Sequence, residues 1–206
     1  MAYPYYHSPF SEEDKAALLY LFLHINGKPS SDAVANYHQV CKSLNISDSC
    51  SEIAETHVSR LNLDQSTDNT MLVVKNLPSY ITDGNTFMYF ESQRVALAAE
   101  KAQMIWLLIN LAYADGDFSW PEKKVIDYLS LYWKLNEVVV KSLEDSAITL
   151  NKLYEQKSYL ESLDSIDANT LSQQMALVNQ WIQTEVANVE KTIGSAYLLN
   201  CIKEGT

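Results

Sequence analysis

Between two apolar runs the chain reads LAYADGDFSWPEKKVIDYL from Leu111 to Leu129, with two aspartates and a glutamate set around one glycine. Oxygen-bearing side chains at this spacing are what a hard divalent cation uses. Setting Gly116 at the sixth position of a calcium loop puts Asp115 fifth, Asp117 seventh, Ser119 ninth and Glu122 twelfth, which are ligand positions. The first and third positions fall on Leu111 and Tyr113, which carry no carboxylate. The stretch is therefore not a self-sufficient calcium loop.

The same residues also make a helix corner. Gly116 suits the end of one helix, Ser119 with Glu122 three residues on is a capping box, and Pro121 sits in the first turn of the next helix. Glu122 is then a metal ligand or a cap. Asp115 and Asp117 fall where the preceding helix presents its carbonyls and its negative end, a place that favours a cation or a lysine beside them. The ligand set Asp115, Asp117 and Glu122 fits Ca²⁺, Mg²⁺ or Mn²⁺ and, lacking paired His or Cys, not zinc. Trp120 follows the cap at a position exposed in many helices and is a candidate contact for a protein partner.

Other constellations carry less. His38 and Cys41 lie one helical turn apart, but no nucleophile signature surrounds them, and a buried thiol beside an edge histidine accounts for both. His7, His24 and His57 have no partner at metal-ligand spacing, and no HExxH, GxSxG or phosphate-cradling glycine loop occurs. No catalytic residue is assigned and the chain is read as a non-enzyme.

With 15 basic and 26 acidic residues among 206, the net charge of −11 repels phosphate backbones, so nucleic acid is not an expected partner. The runs AALLYLFLHI and MIWLLINLAYA are about half of the ~20 residues that span a bilayer, so direct membrane insertion is not expected. Cys41, Cys50 and Cys201 form no CxxC pair, and no charged-then-apolar leader opens the chain, which points to a reducing cytoplasm.

The elements that must position the acidic corner are mainly helical. Residues 1–10, with two prolines and three tyrosines, read as a flexible arm. Ser11 with Asp14 is a capping box for a helix that places Leu18, Leu21, Phe22 and Ile25 on one face and ends at Asn26-Gly27. A second helix begins at Pro29-Ser30-Ser31, and a third covers SCSEIAETHVSRLNL. Near residues 70–90, TMLVVKNL and YITDGNTFMYF flank an Asp83-Gly84 turn signal, the pattern of a short β-hairpin insertion. Helices then resume through the acidic corner.

A shift of 89 residues lays LLYLFLHINGKPSS on LLINLAYADGDFSW, matching Leu18 with Leu107, Leu19 with Leu108, Gly27 with Gly116 and Ser30 with Ser119. This predicts two pseudo-repeated helical hairpins, each covering the apolar face of the other. From Lys141 the chain predicts two long helices joined near Asp164–Asp167. Leu171, Met175, Val178, Ile182, Val189, Ile193 and Ala196 keep a near-heptad stripe, broken at Glu185/Val186. That stripe suits an antiparallel helical pair packed on the domain, or a seam with a second chain.

ADGDFSWPEKKVIDYL resembles the second acidic corner of the tellurite-resistance TerB-like family. The resemblance covers about Ala99–Glu137 and, in weaker form, Ser11–Ile46. It implies a compact all-helical domain of two hairpins related by a pseudo-twofold, an association with bacterial stress responses, and paired acidic corners proposed to hold a metal ion. Asp115, Gly116, Asp117 and Glu122 match directly. The first corner departs from the pattern: Asn26-Gly27-Lys28 stands where the family is acidic, and Lys28 would compete with a cation or itself neutralise the second corner.

The expected architecture is therefore an arm over 1–10, a TerB-like helical domain over 11–140 and a helical hairpin over 141–206. That hairpin packs on the domain or serves association, including a homodimer. The expected function is a stress-linked protein-interaction module holding a divalent cation. The alternative is a structural adaptor that binds no metal and docks a protein through its C-terminal helices.

Overall fold

The computed structural model describes residues 10–61, 91–113, 118–163 and 167–204. The expected β-hairpin near 70–90 and most of the N-terminal arm lie outside these residues. Among the described residues the chain is helical: α1 Glu12–Leu23, α2 Ser31–Ser43, α3 Asp48–Ser59, α4 Glu91–Tyr113, α5 Trp120–Tyr132, α6 Glu137–Glu161 and α7 Ala168–Glu204. The expected junction at 140/141 falls inside the first turns of α6.

Local signals set the helix ends. Ser11 accepts from the Asp14 N–H at 3.0 Å while the Asp14 carboxylate accepts from the Ser11 N–H at 3.1 Å, closing the expected capping box. α1 ends at Leu23 with His24 as its C-cap, short of the expected Asn26-Gly27 stop, and Gly27, at φ +106°, serves the turn that follows in a conformation that L side chains rarely adopt. Ser30 caps α2 through the Ala33 N–H, and Asp167 accepts from the Thr170 N–H ahead of α7.

α1 differs from the one-faced helix its spacing predicts. Ala16 through Phe22 are all buried, not Leu18, Leu21, Phe22 and Ile25 alone. The reason is the company it keeps: α2, α3 and α4 all pack on it, and a helix apolar on every side belongs in the middle of a bundle. α4 is the second hub, touching α1, α2, α5, α6 and α7. Its Ala102, Met104, Ile105, Leu108, Ile109 and Ala112 are all buried. The Lys15–Glu100 ion pair at 2.7 Å ties the two hubs together.

The C-terminal helices pack as an antiparallel pair, which α4 receives through both α6 and α7. Val189 and Ala196 enter the main core, and Ile182 and Ile193 pack against it. Val178 and Leu160 are buried outside that cluster. At the near end the Asn136 amide donates to the Leu199 carbonyl at 2.6 Å, fixing the end of α7 to the start of α6. Phe10, the last residue of the expected arm, is itself buried, 5.3 Å from the Trp133 ring.

The helix ends repeat one another in detail. α2 and α5 each have thirteen residues and start from a serine cap. After α2, Asn45 turns to φ 56°, its N–H meets the Lys42 carbonyl at 3.1 Å and the Ile46 N–H meets Cys41 at 2.9 Å. After α5, Lys134 turns to φ 55°, its N–H meets the Leu131 carbonyl at 3.1 Å and the Leu135 N–H meets Ser130 at 2.9 Å. Both are Schellman closures with a buried apolar residue following. Ser47 and Asn136 then cap α3 and α6.

Candidate functional site

The acidic corner joins α4 to α5. Asp115, Gly116 and Asp117 lie outside the described residues, but both shoulders of the corner are described. Tyr113, the last residue of α4, meets Phe118 with ring centroids 5.6 Å apart, so the two ends of the corner are held against each other. Such a ring pair stabilises by about 0.5–1.5 kcal/mol beyond its burial.

Past the corner, the expected capping box is present. The Ser119 hydroxyl accepts from the Glu122 N–H at 3.4 Å, and the Glu122 carboxylate accepts from the Ser119 N–H at 2.8 Å. Glu122 is 5% exposed. Of the two roles read for it in the sequence, the cap is the one this geometry displays.

Ser119 has a second duty that no local pattern announces. Its hydroxyl donates to the Asn26 side-chain oxygen at 3.1 Å, across 93 residues of sequence. The turn after α1 and the start of α5 therefore meet. Asn26 and Lys28 stand beside Gly27 as Asp115 and Asp117 stand beside Gly116.

Trp120 follows Ser119 and is 67% exposed, with the Lys124 ammonium 3.5 Å from its ring centroid. Lys123 turns the other way, 3.6 Å from Glu144 on α6. The two lysines that follow the corner in sequence are thus engaged with Trp120 and Glu144. Burial pushes the Glu144 carboxyl above the ordinary glutamate range, with Lys123 opposing the shift and Asp127 adding to it. Burial likewise raises Tyr113, and the nearby Glu144 charge adds to that. The Lys123–Glu144 pair is a polar cluster that sequence reasoning missed, because its members are brought together only by packing.

His38 and Cys41 do not form a thiolate–imidazole pair. His38 lies 3.4 Å from Glu55, and burial pushes the Cys41 thiol up, a hydrogen bond with Tyr37 offsetting part of the shift. A thiol held protonated is a poor nucleophile. Among the described residues no group of three or more His, Cys, Asp or Glu side chains is placed to hold a metal ion, and no helix is long and apolar enough to cross a membrane.

No family model, no curated protein and no solved structure matches this chain.

Proposed function

We propose that this chain is a non-enzymatic interaction module with a TerB-like core, built from two copies of a three-helix unit, α1–α3 and α4–α6. The repeated register supports the two-copy reading: the serine caps, the left-handed residues Asn45 and Lys134, and the caps Ser47 and Asn136 all recur 89 positions apart. The Ser119–Asn26 hydrogen bond is compatible with it, since it joins the turn after α1 to the start of α5.

Within this reading Asp115 and Asp117 ligate a hard divalent cation, with Glu122 fixing the helix start beside them. The observation that carries the interaction role is Trp120, two-thirds exposed directly after the serine that joins the two corners. The link to bacterial stress responses rests on the resemblance of ADGDFSWPEKKVIDYL to the TerB-like family.

Isothermal titration of metal-free protein with Ca²⁺, Mg²⁺ and Mn²⁺ tests the cation site. Saturable binding that disappears in Asp115→Asn/Asp117→Asn is the expected result. No heat, with the double variant as stable as the parent or more so, would reduce the corner to a helix junction.

A second reading, a metal-free adaptor that docks a partner or a second copy through the C-terminal helices, is favoured by one observation. Tyr154, Tyr159, Leu177 and Trp181 on α6 and α7 are each about half exposed or more. Sedimentation velocity on the parent and on Leu177→Glu/Trp181→Glu tests it: a dimer lost in the variant would shift the function to that hairpin.

A further inference from the structure

We propose that the C-terminal hairpin pairs with the hairpin of a second copy of this chain, the two α7 helices lying antiparallel across Leu177 and Trp181. The proposal rests on the second reading, in which the hairpin is the docking element, and names its occupant.

α7 buries Val178, Val189 and Ala196 along one line. At about 100° per residue, a second strip lies about 80° round the helix from that line and holds Thr170, Leu177, Trp181 and Asn188. All four are exposed, Leu177 and Trp181 each by about half.

A half-exposed leucine or tryptophan needs no explanation by itself. What selects the occupant is charge. From Ala168 to Thr184 α7 carries no acid and no base, in a chain with 26 of one and 15 of the other. Its neighbour α6 carries Lys152, Glu155, Lys157 and Glu161 at the same end of the hairpin, so exposure there does not demand neutrality. A charged partner would find nothing to pair with on this strip. In a two-fold contact the same patch meets itself, so a strip of one sign repels its copy and a neutral one does not. Threonine and asparagine also carry donor and acceptor together, which lets one copy satisfy the other.

The charges that flank the strip choose the direction. Antiparallel helices with Leu177 of one copy against Trp181 of the other set Thr170 opposite Asn188 and bring Asp167 to the level of Lys191, both exposed. Glu185 then stands level with Gln173 and Glu190 with Ala168, so no acid is level with an acid. Parallel helices would set Asp167, Glu185 and Glu190 each level with its own copy. The antiparallel order also opposes the helix dipoles and holds two bodies of net charge −11 at opposite ends of the pair. The hairpin face beside Ala168–Asn188 is roughly 30 Å long and, two helices across, roughly 20 Å wide, so the pair covers on the order of 1,200 Å² in all. That is the low end for a specific interface and implies a dissociation constant on the order of 10 µM, so dilute protein is monomeric.

The test is sedimentation equilibrium of the full chain at concentrations below and above that constant. A monomer–dimer equilibrium is expected, weakened roughly tenfold or more by Leu177→Glu and by Trp181→Glu. Tyr154→Glu, in the crevice that Asn110 and Tyr113 of α4 share with α6, should leave it unchanged. All three positions are about half exposed, so an unchanged circular dichroism spectrum excludes misfolding as the cause. Direction is read by mild oxidation: Thr170→Cys chains mixed with Asn188→Cys chains should cross-link to one another in preference to themselves. A monomer at every concentration, a dimer indifferent to Leu177→Glu, or Thr170→Cys chains that cross-link to themselves in preference overturns the proposal. Titration of Leu177→Glu with Ca²⁺, Mg²⁺ and Mn²⁺ should give the same heat as the parent, so a failed dimer and an absent cation site are told apart.

Discussion

Glu144 shows how a single residue near the corner responds to pH. Its carboxyl is held above the ordinary glutamate range mainly by burial, with only a 3.6 Å contact to Lys123 against it. An acid whose folded value is raised binds its proton longer in the folded chain. Its contribution to stability is complete below the unfolded value and is lost as pH rises through the folded one. Glu144→Gln should therefore raise the thermal midpoint at pH 7, and the gain should vanish as pH falls below the ordinary glutamate range. Thermal melts across that range check it. A half-exposed Lys123 loses little when its partner goes. None of this is legible in the sequence, where Lys123 and Glu144 stand in different helices. Ser119 and Glu122 were legible, because a capping box is complete within four consecutive residues. The Ser119–Asn26 bond was not, since a contact over 93 residues leaves no local pattern.

At the scale of helices, the ends were easier to read than the faces. Ser30 and Ser119 mark boundaries through backbone chemistry that stays local, and the structure starts a helix after each; α1 stops short of Asn26-Gly27, at Leu23 with His24 as its C-cap. The face assigned to α1 fell short because burial depends on what surrounds a helix, and the unbroken run AALLYLF carries that information only as composition. The left-handed closures after α2 and α5 offer a measurement at this scale. A side chain in that conformation costs about 1–2 kcal/mol relative to glycine, less for asparagine, which tolerates it. Lys134→Gly should therefore raise the free energy of unfolding by about 1 kcal/mol and Asn45→Gly by less. Gly27→Ala, at φ +106° with open space around it, should lower it by about 1 kcal/mol through the backbone alone. Urea denaturation of the three variants reads all of these.

Across the whole molecule, α4 gathers α1 and α2 on one side of the sequence and α5, α6 and α7 on the other into one core. The C-terminal hairpin belongs to that core at its near end and stands apart from it at its far end. Val189→Ala should thus cost about 2 kcal/mol, whereas Trp181→Ala, half exposed, should stay within about 0.5 kcal/mol of the parent. Denaturant midpoints of the two variants distinguish these roles. The stripe from Leu171 to Ala196 was readable in the sequence because a helical pair repeats its spacing, and α6 and α7 pack against each other.

If the acidic corner and the start of α5 work as one functional end, a cation held by Asp115 and Asp117 is felt at Trp120. Fluorine NMR on protein labelled with 5-fluorotryptophan reads this, because the chain has four tryptophans and Trp120→Phe assigns the one that matters. Titration with Ca²⁺, Mg²⁺ or Mn²⁺ should shift or broaden the Trp120 resonance, leave Trp181 in place, and do neither in Asp115→Asn/Asp117→Asn. Four resonances unmoved by every cation, or a shift that survives the double variant, would mean that Asp115 and Asp117 hold no cation felt at Trp120.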